Sequence, residues 1–433
     1  MPGSILMELT VEEFVNFCIQ NIFKMKILIF GINYSPELTG IGKYTGEMGS
    51  WLAGQGHDVH VVTAVPYYPE WEVHKEYKGK YWHTENIDGA KVHRIPLYVP
   101  KEVTSVKRII HEFSFVLGIV PVWFKLLFKK KFDVVFCIAP PFHLGFLPLL
   151  YSKLKGVPMI THIQDLQVDA AKELGMIKNK AFLNLMFSLE RFILKKSTKV
   201  STISLGMELK INGKGITADK QMLFPNWVDE NNIMPLPKER SLRQEFGLKD
   251  TDKVILYSGN LGEKQGLEVI IDVALKYKER SDVFFLIVGS GGGKEKLEQS
   301  AKDAGLTQVR FFPLQPYNKL SALLATADVH LVLQKKSAAD LVMPSKLTGI
   351  LAAGGCAIVT AEPGTSLYVV VNQYEMGILI EPENIQSLCD GIEFALNTDL
   401  DIYKKNARKY AELYLSKENI LKDFEQKLLH LNN

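Results

Sequence analysis

Short apolar runs alternate along this chain with stretches whose apolar residues recur at helical spacing, and the alternation continues almost from end to end. That pattern predicts parallel sheets built from strand–helix–strand units. In the first half, strands are expected at Lys26–Phe30, Val59–Thr63, Lys91–Ile95, Val134–Ile138, Met159–His162 and Lys199–Ile203. Between the first two lies a helix that puts Tyr44, Met48, Trp51 and Leu52 on one face and is stopped by Gly54 and Gly56. In the second half, strands are expected at Val254–Tyr257, Phe284–Val288, Val309–Phe312, Val329–Leu333, Ala357–Val359 and Gly377–Ile380. A helix carrying Leu267, Ile270, Ile271, Ala274 and Leu275 on one face follows the first of these.

Each half opens with a strand that runs into a Gly-rich turn and then a helix. The first turn is Asn33-Tyr-Ser-Pro-Glu-Leu-Thr-Gly-Ile-Gly42 and the second is Gly259-Asn-Leu-Gly-Glu-Lys-Gln-Gly266. Two such turns in two α/β halves suggest two Rossmann-like domains facing one cleft, the layout of a nucleotide-sugar glycosyltransferase. The boundary falls near Leu223-Phe-Pro-Asn-Trp-Val-Asp229, before the Pro-rich Met234-Pro-Leu-Pro237. The expected organisation is an extension over 1–24, a first Rossmann-like domain over 25–222, a second over 223–400 and charged C-terminal helices over 401–433.

Length and composition allow this. The 433 residues are enough for two α/β domains. A net charge of +3 is too small to argue for nucleic-acid binding. Cys18, Cys137, Cys356 and Cys389 lie far apart without metal-ligand spacing and are expected to be reduced thiols in a cytoplasmic protein. The first 24 residues lack the basic n-region of a secretory signal. They are expected to be an upstream start or a dispensable extension, with a membrane-touching amphipathic helix as the alternative.

Two apolar stretches raise a membrane question. Phe113 to Phe124 is too short to span a bilayer, which needs about 20 apolar residues. Val134 to Ser152 is divided by Pro140-Pro141, Gly145 and Pro148 into a strand, a turn and a short helix. Around the first stretch, residues 106–131 place Phe113, Phe115, Trp123, Phe124 and Phe128 between Lys107-Arg108 and Lys129-Lys130-Lys131. Basic ends around an aromatic middle suit a helix lying on an anionic membrane surface; an ordinary core helix with solvated ends is the alternative.

Several residues suit the binding of a diphosphate and the stabilisation of a departing phosphate. Gly40 and Gly42 sit where a helix begins after a strand, so backbone N–H groups can approach a sugar or phosphate. Lys264 can place a cation on the diphosphate as charge builds on the leaving group. In Asp340-Leu-Val-Met-Pro-Ser-Lys-Leu347, Pro344 favours a helix start, which puts Ser345 and Lys346 in the first turn as a second phosphate cradle. Asp165, in His162-Ile-Gln-Asp165, lies just past the carboxyl end of a strand. It could take the acceptor proton or orient the sugar, or it could cap the next helix. The Gly289-Ser-Gly-Gly-Gly293 loop looks like a phosphate loop or a plain turn, and Phe312-Pro-Leu-Gln-Pro316 could offer backbone to a base edge at Leu314.

Taken together, the chain from Met25 onward resembles glycosyltransferase family 4 of the GT-B fold, most closely the bacterial branch that builds colanic acid and O-antigen. The resemblance is carried by Tyr34-Ser-Pro-Glu37, Thr39-Gly-Ile-Gly-Lys-Tyr-Thr45, Pro66-Tyr-Tyr-Pro69, His162-Ile-Gln-Asp-Leu-Gln167, Pro225-Asn226, the 257–266 segment and Pro344-Ser-Lys-Leu347. It implies an α/β GT-B fold with a C-terminal helix crossing back to the first domain. It also implies a retaining transferase with no required metal, using a UDP- or GDP-linked sugar of fucose or N-acetylfucosamine type.

The implied acceptor is a lipid-linked oligosaccharide at the inner face of the cytoplasmic membrane. Donor contacts are implied for Gly40, Gly42, Asn260, Lys264, Gly289, Leu314, Asp340, Pro344, Ser345 and Lys346, and acceptor-side contacts for Lys43, His162 and Gln164. The chain departs from the pattern where Asn260 replaces a basic residue. It departs again where Asp340 and Gly349 stand in for two glutamates, and where Gln164-Asp165 replaces His-Asp. A nucleotide-sugar 2-epimerase of the same fold, or a non-catalytic subunit of a polysaccharide assembly, are the rival readings.

Overall fold

A computed structural model describes residues 24–37, 40–173, 177, 179–262, 265–336 and 344–431. The 1–24 extension, except Lys24, lies outside the described residues, as do Cys18, Lys264 and Asp340. The chain divides into two compact units, each built on its own sheet. One comprises residues up to Thr202, Ile211–Met222 and the chain from Leu421; the other comprises Ile203–Lys210 and Leu223–Ile420.

The first sheet has eight strands: β1 (Lys26–Phe30), β2 (Asp58–Ala64), β3 (His83–Ile87), β4 (Ala90–Ile95), β5 (Val134–Ala139), β6 (Met159–Ile163), β7 (Lys199–Thr202) and β8 (Gln221–Leu223). Their order is β3-β4-β2-β1-β5-β6-β7-β8. The strands from β4 to β7 pair in parallel, while β3 is antiparallel to β4. The apolar runs are buried along their whole length, as in β5 and β6. Here the sequence reading missed β3 and β8. His83–Ile87 alternates half-buried and exposed positions. It is joined to β4 through Asp88 and Gly89, both at positive φ (47° and 88°), the backbone of a two-residue hairpin turn.

The helix Gly40–Gly54 buries Tyr44, Met48 and Leu52 as expected, while Trp51 is only half-buried. The helix Ser105–Leu127 is longer than the 113–124 stretch that set the expectation. By length and composition it could cross a membrane. Thr104 caps it by accepting the Lys107 N–H. It buries His111, Glu112, Phe115, Ile119 and Trp123 against the sheet, and exposes Val106, Ile110, Phe113, Leu117 and Phe124 on the other side. One face of the helix is therefore core and the other is exposed. Residues 134–155 divide into β5, a 3₁₀ turn at Phe142–Gly145 and the helix Phe146–Lys155, as the prolines and glycine imply. The C-terminal helix Lys417–His430 contributes Phe424, edge-on to Phe136 at 5.2 Å, and Glu425, whose Oε1 is 2.7 Å from His57 Nε2.

The second sheet has six strands: β9 (Lys253–Asn260), β10 (Val283–Ser290), β11 (Val309–Phe312), β12 (Val329–Val332), β13 (Ala357–Thr360) and β14 (Gly377–Ile380). All pair in parallel, in the order β11-β10-β9-β12-β13-β14. The helix Glu268–Lys276 buries Ile270, Ile271, Val273 and Ala274; Leu275 is exposed, because Val273 takes the inward position beside them.

Candidate active site

In each sheet the strand order reverses beside the first strand: β1 lies between β2 and β5, and β9 between β10 and β12. At such a switch point the crossovers leave on opposite faces, which opens a crevice at the carboxyl ends of the strands. The turns singled out from sequence leave these strand ends.

In the second unit, β9 and β10 stay paired out to Gly259↔Gly289 and Ser290↔Asn260. The two strands approach so closely there that a Cβ on Gly289 would overlap the Gly259 carbonyl oxygen. One on Gly291 would meet the Leu261 oxygen at 2.6 Å. Glycine is therefore required by backbone packing in this loop. The helix Ser345–Ala352 begins immediately after Pro344, with Ser345 exposed and Lys346 in its first turn. Lys346 reaches back to β9: its Nζ lies 3.7 Å from the centre of the Tyr257 ring and 3.5 Å from where a Gly259 Cβ would stand.

The Lys346 residue is half-buried, but its ammonium is enclosed and has no hydrogen-bond acceptor among the described residues. Burial pushes its pKa down to about 7. A desolvated ammonium at the head of a helix, with the helix N–H groups beside it, is arranged to take an anion. Asn260 is exposed at the end of β9. The structure thus brings together Asn260, Gly289, Pro344, Ser345 and Lys346 around the β9 end. Leu314 is exposed in the turn after edge strand β11, two strands away from β9. Gly349 has open space: a Cβ there would meet only Leu324, at 3.9 Å.

In the first unit, Gly40 opens the helix after β1 at φ 57°. A Cβ on Gly42 would strike the Glu37 side chain at 2.8 Å. Glu37 was not singled out from sequence as a site residue, yet it organises this loop. Its buried carboxylate accepts the Tyr67 and Tyr68 N–H groups, both at 2.9 Å, and the Asn33 amide at 2.8 Å. It thereby ties the turn after β1 to the turn after β2. Burial raises its pKa, against the pull of those hydrogen bonds. Lys43 lies on the first turn of the same helix, its ammonium 5.1 Å from the Tyr44 ring centre.

At the end of β6, His162 is a core histidine. It stacks on Phe136, and its ring nitrogens meet Ser201 Oγ at 2.8 Å and Gln164 Nε2 at 2.9 Å. Burial drives its pKa to about 3, so the ring is neutral. This arrangement leaves neither nitrogen facing a substrate and makes Gln164 its partner. Asp165 follows, half-buried, two residues before the helix Gln167–Glu173; it lines a small cavity with Thr161, Gln167 and Glu190.

A second acid missed from sequence, Glu112, enters from the Ser105–Leu127 helix. It accepts from Gln167 Nε2 at 2.9 Å and Arg108 Nε at 3.3 Å, and burial raises its pKa. Its only sequence signal was a lone carboxylate at the edge of an uncharged run.

Two family models match. Residues 39–227 match a glycosyl transferase 4-like domain and residues 238–413 match glycosyl transferases group 1. The putative colanic acid biosynthesis glycosyl transferase WcaI of Escherichia coli K12 is 44% identical over 409 residues, covering 92% of this chain and 98% of that one. Among solved structures, a sucrose-phosphate synthase from Thermosynechococcus elongatus superposes with a TM-score of 0.73 at 16% identity, covering 94% of this chain and 99% of that one. Anabaena HepE in complex with UDP and glucose gives 0.69 at 15% identity, covering 93% and 99%. With two parallel-sheet α/β units, both family models matched and a full-length relative at this identity, the chain belongs to glycosyltransferase family 4 of the GT-B fold and is a glycosyltransferase.

Proposed function

We propose that this enzyme moves a sugar from a nucleotide-sugar donor to a lipid-linked oligosaccharide in bacterial surface polysaccharide biosynthesis, with retention of configuration. The observation that carries the donor side is the enclosed Lys346 ammonium beside the β9 end. A diphosphate would supply an anion to it. Lys346 and Ser345, with Lys264, would hold the diphosphate, while Asn260, Gly289, Pro344 and Asp340 shape the donor site and Leu314 offers backbone to the base. Gly40 and Gly42 would face the transferred sugar, with Lys43 and Gln164 on the acceptor side and Asp165 orienting the reacting groups.

In the transfer, the bond from the anomeric carbon to the phosphate oxygen breaks. The acceptor hydroxyl oxygen bonds to that carbon on the same face, and its proton passes to the departing phosphate. Lysine ammonium groups lower the barrier by stabilising the charge that develops there.

The likeness to WcaI supports a place in colanic-acid-type synthesis, with fucose or an N-acetylated 6-deoxy sugar transferred. UDP in the HepE structure supports a UDP donor; GDP is the alternative. Residues 25–222 are assigned to the acceptor, 223–400 to the donor and 401–433 to the closing helices. The exposed apolar face of the Ser105–Leu127 helix, with Lys107, Arg108 and Lys129–Lys131 at its ends, supports peripheral contact with the cytoplasmic face of the membrane. Thermal shift with UDP-, GDP- and dTDP-linked sugars tests the donor side. One donor should raise the melting temperature, and Lys264→Ala should abolish the rise. Folded protein that responds to none of them would refute it.

A further inference from the structure

The first unit carries a hollow of about 650 Å³ that none of the proposed donor or acceptor residues lines. It lies between the segment that follows β2 and the segment that follows β4. Its walls carry aromatic rings (Trp71, Tyr77, Tyr81), and its charged residues are three lysines (Lys78, Lys80, Lys101) against two glutamates (Glu70, Glu72). Tyr81 is 69% exposed although it is a large ring. Trp71 stands at φ 55°, a backbone region that bulky side chains rarely adopt. It is held there by the rings of Tyr67 at 5.6 Å and His111 at 5.1 Å. Strain that the surroundings enforce is typical of ligand clamps. Lys78 is paired with Glu72 at 2.5 Å, whereas the Lys80 ammonium rests 5.6 Å from the Tyr77 ring centre.

Two features say what fits. Aromatic faces pack against the weakly positive C–H face of a sugar ring, and Lys80 and Lys101, which have no carboxylate in an ion pair among the described residues, suit phosphate. Both segments around the hollow are bonded to the Ser105–Leu127 helix, through Trp82 next to Tyr81 and through Tyr98 between Leu97 and Val99. The Trp82 indole donates to the Gly118 carbonyl at 2.7 Å, and the Tyr98 N–H donates to Ser114 Oγ at 2.8 Å. Phe113 and Leu117 lie exposed on that helix. A lipid lying on that helix would rest on the same element to which the two segments around the hollow are bonded.

We infer that this hollow seats the phosphate-proximal sugar of the lipid-linked acceptor. Trp71 and Tyr81 form its sugar platform, and Lys80 and Lys101 contact the phosphate. The inference rests on the transferase reading and names the part of the acceptor that is recognised.

Calorimetric titration of the full chain with a hexose linked to farnesyl diphosphate tests it, alongside farnesyl diphosphate alone and a methyl hexoside. Thermal shift with donor nucleotides runs in parallel. The wild type should bind the linked hexose at least tenfold more tightly than either fragment. Tyr81→Ala/Lys101→Ala, both surface changes, should weaken it tenfold or more while leaving the nucleotide shift and the melting temperature unchanged. Wild-type affinity in that variant, equal binding of farnesyl diphosphate alone, or no binding of the linked hexose would each overturn the assignment. A missing nucleotide shift alongside intact, variant-sensitive hexose binding would instead refute the donor reading and leave the hollow standing.

Discussion

Replacing Lys346 with methionine separates what its buried ammonium costs the fold from what it does for the ligand. Methionine keeps the unbranched stem over Tyr257 and removes the charge. The lysine is displaced from 10.5 to about 7 by burial. At about 1.4 kcal/mol per tenfold change, holding the cation there at pH 7 costs the fold up to ~4 kcal/mol. Because the residue as a whole is half-buried, solvent screening reduces this, and a gain of ~2 kcal/mol is expected for Lys346→Met. For a unit of this size that corresponds to a rise of roughly 4–8 °C in melting temperature.

The sign follows from linkage. Between pH 7 and 10.5 the unfolded chain holds a proton at this lysine that the folded chain does not. Wild-type stability from this group therefore rises with pH across that window and is flat below it. The advantage of the variant should be largest at pH 7 and nearly gone at pH 10. Differential scanning calorimetry at pH 7, 8.5 and 10, with and without UDP and GDP, reads both effects. The ligand-free variant should melt higher and its nucleotide-induced shift should collapse. A variant that is less stable at pH 7, or an advantage unchanged at pH 10, would refute the buried-cation argument. A variant with an intact nucleotide shift would refute the role given to the ammonium.

Other consequences are as direct. Gly289→Ala drives a methyl into the Gly259 carbonyl of the paired strand and should destabilise the second unit by about 3 kcal/mol or more, seen as an earlier denaturant midpoint and lost nucleotide binding. Lys214 is bonded to both Glu190 and Asp169 in a mostly buried triad, so Lys214→Met should cost about 3–5 kcal/mol by denaturant unfolding, with Glu190→Leu in the same chain restoring much of it. Val106→Ser with Leu117→Ser alters only exposed positions of the Ser105–Leu127 helix; co-flotation with anionic phospholipid vesicles should drop several-fold while the melting temperature holds, and wild-type flotation should weaken with salt.

Most of the sheet core was legible because parallel strands buried on both faces read as plain apolar runs. Val309–Phe312 and Gly377–Ile380 coincide with their expected bounds. β3 was not legible by that rule, since an edge strand with one face in solvent lacks the run. Its signal was instead the Asp88-Gly89 turn, which forces positive φ at both positions. The helix start at Ser345–Lys346 could be read because proline marks a helix start locally. Glu37 and Glu112 could not, because each is defined by partners distant in sequence: the Tyr67 and Tyr68 amides for one, Gln167 for the other. His162 shows the converse, since a polar residue at a strand end can equally be bonded into the core, and only Ser201 and Gln164 reveal that it is.

The most direct test of the central claim is transfer itself. The full chain is incubated with UDP- and GDP-linked sugars labelled in the sugar, together with lipid extracted from bacterial membranes, and the label is followed into the organic phase. Protein-dependent movement of label from one donor, abolished in Lys346→Met and with the sugar keeping its anomeric configuration, is the predicted result. Donor that binds the protein while all label stays in the aqueous phase, across acceptor lipids, would contradict the account.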